Sequence, residues 1–413
     1  MKKNYKRLKA ACYTANISMS IVANLAPILF LTFRSLYGIS YSLLGLLVLV
    51  NFVTQLSVDV TFSFFSHKFN IPKVLKLTPV LTTVGLFIYA VWPFLFPDAV
   101  YPGLVIGTIL YSASGGFGEV LISPVIAAIP AEDPDRELSK LHSVYAWGVV
   151  LMVVICTAFI LLFGTENWQW LVFLLLSIPV TCALLFAQVE IPEMETPGRA
   201  RGALHLLKNP GLRMCIVGIF LGGAAECTMG QWASGYLEEA LHIPKAWGDI
   251  FGVALFSVML GLGRTMYAKR GGNAPRVLFY GAVGTAVCYG ITALTSWEIV
   301  GLAACALTGF CSSMLWPGSL ITAADRFPQG GVFVFAMMAA GGDMGASVGS
   351  QLVGIVTDAA AASPALISVA NALSLAPEQL GIKVGLLAGM VFPLLAIPVY
   401  YRLWKPGRPA VAE

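Results

Sequence analysis

Residues 211–240 read GLRMCIVGIFLGGAAECTMGQWASGYLEEA, an apolar stretch with a carboxylate, Glu226, at its middle. About 20 apolar residues in a helix suffice to cross the hydrocarbon of a bilayer, so this stretch is long enough to span one. A charge at that depth costs at least about 2.5–3.5 kcal/mol, so Glu226 has to face protein or a water-filled cavity rather than lipid. Glu226, Gly230 and Ala233 fall on one helical face, and Trp232 with Tyr236 on another. The first face can take a proton or bond a hydroxyl, and the second offers an aromatic platform. The competing reading makes Glu226 a structural polar group bonded to a neighbouring helix. The base rate for acids inside membranes favours function.

The rest of the chain has the same character. With 58% hydrophobic residues, 11% charged and a mean hydropathy of +0.81, its 413 residues lie outside the soluble range, where about 25% are charged. An all-α, multi-pass membrane protein is expected, with the lipid bilayer as its surroundings. Its net charge of +4 is then a matter of topology and gives no ground for a nucleic-acid partner. The eight cysteines lie in apolar stretches without Cys-x-x-Cys spacing, so neither a disulfide framework nor a zinc site is indicated. No cofactor or metal is expected. The start, MKKNYKRLK, leads into an apolar run too long for a signal peptide, and reads as the approach to a first transmembrane helix.

Twelve spans are expected, at 8–34, 40–66, 74–96, 101–129, 139–163, 167–188, 211–240, 246–267, 276–295, 298–324, 330–357 and 379–403. With the N-terminus in the cytoplasm, only Arg34, Lys245 and Lys383 of the 25 Lys and Arg fall outside cytoplasmic segments and their borders. The positive-inside rule therefore puts both termini in the cytoplasm. Residues 189–210 form a long, polar, Pro-bearing cytoplasmic stretch. They divide the chain into a six-helix half at 1–188 and a second at 211–413. The outer segment 358–378 has enough apolar residues for a short interfacial helix. Two six-span repeats with broken helices near the midplane are the pattern of carriers that bind solute there.

Further polar residues lie inside the spans. Asp343 sits near the middle of the eleventh and heads a stripe with Ser347, Ser350 and Gln351. Glu119 lies slightly cytoplasmic of the centre of the fourth, with Gly115, Gly116 and Ser123 on its side, and reads equally as proton carrier or structural bond. Asp59 lies two turns inside the cytoplasmic end of the second, in line with Asn51 and Gln55, a depth that suits a gate. His142 opens the fifth span and Arg264 stands about one turn inside the eighth. A gating role is open to both, but an interfacial hydrogen bond for the histidine and snorkelling for the arginine are the better readings. Trp316 with Pro317 is expected to break the tenth span, and Pro27, near Asn24, the first.

These residues resemble the major facilitator superfamily, and within it the fucose permease-like sugar:proton symporters. LLKNPGLR leads into Glu226, Gly230, Trp232 and Tyr236, similar to that branch's seventh span. LHSVYAWG at 141–148 resembles the start of its fifth, and Leu262-Gly263-Arg264 its Leu-Gly-Arg in the eighth. SSMLWPGSLITAA at 312–324 and GGDMGASVGSQLVGIVTD at 341–358 look like its tenth and eleventh spans. The resemblance implies a twelve-helix carrier that works by alternating access, without enzymatic activity. It also implies an acid on the first span as partner to the one on the fourth. Here Glu119 matches the latter, whereas the first span offers Asn16 and Asn24. The superfamily's Asp-Arg-x-Gly loop appears as His67-Lys68-Phe69-Asn70.

The resulting expectation is a monomeric carrier in the cell membrane, moving a small polar solute, a sugar or related polyhydroxylated molecule. Asn24, Gln55, Glu226, Gln231, Asp343 and Gln351 are expected to bond its hydroxyls, with ring faces on Trp232 and Trp316. Proton symport is the expected energy source, through Glu119, Asp59, Glu226 and Asp343. The gating residues are Asp59, His142 and Arg264. A drug:proton antiporter lacks support from AWGVVLMVVICTA, which has no Gly-x-x-x-Gly-Pro run. A sodium-coupled carrier stays open. A membrane enzyme or receptor lacks support too, for no catalytic motif stands inside a span.

Overall fold

The computed structural model describes residues 5–39, 41–192, 206–237, 241 and 249–405. Described residues outside the loops are helical throughout. The helices are α1 Tyr5–Tyr37, α2 Tyr41–Phe65, α3 Ile71–Leu95, α4 Val100–Ala127, α5 Pro134–Phe163, α6 Trp168–Leu175 and α7 Ser177–Ala187. They continue as α8 Pro210–Gly235, α9 Leu255–Arg270, α10 Ala274–Leu294, α11 Glu298–Ser312 and α12 Pro317–Arg326. The last four are α13 Gly331–Ala362, α14 Pro364–Ala372, α15 Pro377–Gly389 and α16 Val391–Trp404. Among the described residues nine helical stretches are long and apolar enough to cross a membrane. The other three expected spans, at 8–34, 40–66 and 246–267, are helical where described but fall outside that set. Residues 193–205 of the expected linker lie outside the described residues, as do 238–240 and 242–248.

Local sequence explains where helices begin. Asn70, Asp133, Asn209 and Asn273 each cap a helix, accepting from the backbone N–H of Lys73, Arg136, Gly211 and Arg276 at 2.8–3.1 Å. Each is followed within two residues by proline, which suits a first turn where the N–H has no intrahelical partner. The expected break at Pro27 does not occur: α1 runs through position 27 as continuous helix. The short helix expected in 358–378 is α14. Large apolar side chains such as Leu161, Leu162 and Ile299 are exposed by 76–82%, the surface a bilayer covers.

The chain divides into two compact units, residues 1–205 with 329–340, and residues 206–328 with 341–413. In the first unit, α3 and α4 meet at Gly85 and Gly107, where a Cβ on Gly85 would stand 2.9 Å from the Gly107 carbonyl. Small residues thus set the helix spacing, as van der Waals packing in lipid favours. Asn16 on α1 donates to the Leu141 carbonyl on α5 at 2.7 Å. Phe33, Tyr89 and Trp168 form an edge-to-face cluster, and the Trp168 indole donates to the Tyr37 hydroxyl at 3.0 Å.

In the second unit α8 packs against α9, α11, α12, α13 and α16. Tyr400 on α16 donates to the Gly218 carbonyl at 2.6 Å. Tyr289 on α10 donates to the Ala225 carbonyl at 2.8 Å. On α13, Gly341, Gly345 and Gly349 face Ile216, Phe220 and Ala224 of α8, and a Cβ on Gly345 would overlap the Phe220 carbonyl. Lys383, buried on α15, donates to the Thr295 carbonyl at the end of α10, where a cation suits the helix dipole.

Candidate functional site

The second unit holds a buried polar grouping that proline chemistry builds. Helix α11 stops at Ser312 and α12 resumes at Pro317, as the Trp316-Pro317 pair predicts. In a continuous helix the Ser313 carbonyl would accept from the N–H of residue 317, which a proline lacks. The Nε–H of Arg264 takes that place, donating to the Ser313 carbonyl at 2.9 Å. The approach is close because residue 263 is glycine: a Cβ there would overlap the Ser313 hydroxyl and stand 3.1 Å from the Phe310 carbonyl.

The same guanidinium donates through Nη2 to Glu226 Oε1 at 2.5 Å. Both side chains are buried, Arg264 to 3% and Glu226 to 7% exposure. The expectation that Arg264 snorkels to the interface is therefore corrected: the carboxylate and the orphaned carbonyl together offset the desolvation that would otherwise send it to water. Glu226 Oε2 is buried and has no hydrogen-bond partner among the described residues. The face of Glu226, Gly230 and Ala233 turns toward α9, with Phe256 beside Gly230 and Ala233 fully buried.

Trp316, at the break, lies half-buried across two glycines. A Cβ on Gly342 would overlap its ring, and one on Gly223 would stand 3.0 Å from it. Asp343, next to Gly342, is 7% exposed, and its own carbonyl accepts from Ser347 at 2.8 Å. Glu226, Arg264 and the break at Trp316 are thus brought together by glycines and a proline, and Asp343 follows the Gly342 that the Trp316 ring covers. Gln231, Ser347 and Gln351 lie on exposed faces of α8 and α13. Trp232 is pinned rather than free, its indole donating to the Ser350 carbonyl at 3.1 Å with the ring against Gly354. Tyr236 offers no open ring face: it is fully buried, and its hydroxyl donates to the Thr292 carbonyl at 2.7 Å. The aromatic platform expected of the Trp232–Tyr236 pair is thereby corrected, since the tyrosine packs into the unit's interior.

In the first unit Asp59 is fully buried on α2 and Gln55, one turn earlier, is 8% exposed. Gln55 Nε2 lies against Gly115, where a Cβ would stand 2.9 Å away. Glu119, one turn beyond Gly115 on α4, is half-buried. Asn51 accepts from Ser112 at 2.5 Å. The Ser123 hydroxyl and His142 Nε2 stand 3.5 Å apart, joining α4 to α5. Asn24 is half-buried and donates to the Ser20 carbonyl of its own helix at 2.8 Å. Sequence reasoning missed a part-buried cluster on α1 and α5, where Lys9 stands 2.6 Å and Tyr13 3.3 Å from Glu137 Oε2. Its signal was the opposite charges of Lys9 and Glu137 at the ends of two spans.

Among curated protein sequences nothing matches significantly. The fold is shared with solved structures. FucP, a Major Facilitator Superfamily transporter in the outward conformation, superposes with a TM-score of 0.72 at 15% identity, covering 94% of this chain and 98% of that one. A variant of the E. coli fucose:proton symporter FucP gives 0.70 at 14% identity, with coverage of 94% and 98%. The proton:xylose symporter XylE, bound to 6-bromo-6-deoxy-D-glucose, gives 0.72 at 15% identity, covering 96% of this chain and 95% of that one. Residues 11–350 match the profile described as Major Facilitator Superfamily. The chain belongs to the Major Facilitator Superfamily, and is a multi-pass membrane transporter rather than an enzyme.

Proposed function

We propose that this transporter moves a sugar or related polyhydroxylated solute by alternating access, in symport with protons, across the cell membrane with both termini in the cytoplasm. The observation that carries the reading is the Trp316 ring lying across Gly223 and Gly342, one turn from Glu226 on α8 and next to Asp343 on α13. An aromatic face beside buried acceptors is the chemistry that binds a sugar: the ring covers C–H groups while carboxylate oxygens take hydroxyl protons. Glu226 Oε2, without a partner among the described residues, is an acceptor of this kind. Gln231 and Gln351 supply further polar groups in that unit, and Asn24 and Gln55 in the first. Trp232 contributes the edge of its ring. The fold shared with fucose:proton and proton:xylose symporters supports the solute class.

Proton coupling is assigned to Glu119, Asp59 and Asp343, acids at membrane depth, where an ionisable side chain is a candidate proton carrier. Asp59 and His142 also serve as gating residues. The chain works as a monomer, with 189–210 as a cytoplasmic linker and no cofactor.

The test is uptake into proteoliposomes under an imposed inward proton gradient, with radiolabelled fucose, xylose, a sugar acid and an amino acid as probes. Gradient-driven sugar accumulation, lost in Asp343→Asn and uncoupled from the gradient in Glu119→Gln, supports the reading. Sugar uptake indifferent to the gradient overturns the coupling, and expulsion of an amphipathic cation in exchange for protons overturns the solute class.

A further inference from the structure

The tenth span of a carrier with a proline break can work in two ways. The break can flex as a hinge, or it can be held as a fixed shelf that presents its aromatic residue. We propose that Arg264 is a positioning residue that locks the break at 313–316 as a rigid part of the second unit, and that Glu226 is its counter-charge rather than a coupling acid.

Three independent observations converge on this. The first is stoichiometric: Pro317 removes one N–H, and Arg264 Nε supplies one N–H to the carbonyl thereby orphaned, at 2.9 Å. The second is geometric. Glu226 Oε1 holds Nη2 of the same planar guanidinium at 2.5 Å, which fixes the direction in which Nε–H points. A lysine has no such plane, and its ammonium carries no donor at a set angle to the contact with Glu226. The third is steric. The break is wedged from several sides, with Gly263 against Ser313, Gly222 against Leu315, and Gly223 and Gly342 against Trp316. A segment packed backbone to side chain at glycines has no room to swing without unseating α8, α9 or α13.

The consequence concerns both members of the pair. Protonating Glu226 would leave a buried guanidinium without its counter-charge. One carboxylate oxygen stays committed to the arginine while Oε2 remains for solute. Trp316 then owes its position across Gly223 and Gly342 to the arginine that closes the break before it.

The test uses hydrogen–deuterium exchange of the full-length protein in nanodiscs, which needs no knowledge of the solute. In the wild type, peptides covering 310–322 are expected to exchange as slowly as those of α11. The charge-neutral pair Glu226→Gln with Arg264→Gln should speed exchange at the break about tenfold, the scale of one lost hydrogen bond, while α10 and α15 stay unchanged. Adding Pro317→Ala returns a backbone N–H to position 317 and should restore slow exchange. Arg264→Lys keeps a cation beside Glu226, guards against misfolding, and should also speed the break.

Fast exchange at 313–318 in the wild type makes the break a hinge and overturns the proposal. So does acceleration that Pro317→Ala fails to reverse, or an Arg264→Lys protein that exchanges like the wild type. A second arm rests on the transport reading above: gradient-driven uptake of fucose or xylose by the triple variant should recover relative to the double variant and stay proton-dependent. Exchange rescued without any sugar uptake in the wild type sinks the solute class and leaves the positioning role standing. Uptake rescued but indifferent to the gradient returns the coupling role to Glu226.

Discussion

Arg264 and Glu226, 38 residues apart in sequence and both buried, meet with Nη2 2.5 Å from Oε1, and the guanidinium that makes this pair also closes the broken tenth span through the Ser313 carbonyl. Removing one member leaves the other charge buried and unpaired. Glu226→Gln or Arg264→Gln alone should each cost about 3–5 kcal/mol, and the double change less than either. Thermal unfolding of the four proteins in detergent, read as a double-mutant cycle, checks this. Additive losses would show that the two side chains do not depend on each other.

The pair of Lys9 and Glu137 behaves differently. It is nearly as close at 2.6 Å, but its side chains are 25% and 24% exposed. Solvent screens it and the long lysine loses entropy in holding it, so Lys9→Met should cost about 0.2–1 kcal/mol. The comparison of the two pairs in one unfolding series tests burial against distance as the controlling variable.

Two glycines of α13 separate stability from binding. At Gly345 an added methyl meets the backbone carbonyl of Phe220, which can yield only if α8 and α13 part. Gly345→Ala should cost about 1–3 kcal/mol and lower the yield of folded protein. At Gly342 the methyl meets the far edge of the Trp316 ring, which can tilt. Gly342→Ala should leave the unfolding midpoint nearly unchanged and raise the KM for sugar uptake. Equal loss of midpoint in both would mean that the ring is as immobile as the backbone.

Tyr400 is fully buried and donates to the Gly218 carbonyl at 2.6 Å, with Ser319 at 3.2 Å. Tyr400→Phe removes the donor and keeps the ring. A loss of about 0.6–1.5 kcal/mol is expected, without change in uptake KM, since the hydroxyl is committed to the backbone carbonyls of Gly218 and Leu315. A shift in KM with an unchanged midpoint would place the hydroxyl in the solute site.

Individual residues show how far the one-dimensional pattern reaches. The positions of the helices follow from apolar runs of bilayer length, and their starts from Asn or Asp followed by proline at 70, 133, 209 and 273. The break at Trp316-Pro317 was legible because a proline inside a span always frees a carbonyl. Pro27 shows the limit of that rule, for α1 continues through it. Proline removes the same bond in both places, and whether the helix stops depends on its neighbours. At Ser313 a buried arginine is at hand to take the freed carbonyl.

The sequence suggests snorkelling for Arg264 because depth along a helix is a one-dimensional quantity. Counting turns places it near an interface, but its direction around the helix axis and the partner it finds there come from α8 and α11. It suggests an open ring face for Tyr236 for the same reason, since an i, i+4 pair with Trp232 defines a face without saying what covers it.

Hydrocarbon imposes the first level of this architecture directly: every backbone polar group has to be satisfied within its own segment, so length and apolarity alone determine the helices and make each intramembrane acid a site candidate. Which acids are paired was decided by tertiary structure. Close approach of helices at Gly223, Gly263, Gly342 and Gly345 brings Glu226, Arg264 and the break at Trp316 into one place. No local rule encodes that meeting, because it arises from van der Waals packing between segments far apart in the chain, where a single methyl group on Gly345 would meet the backbone of α8.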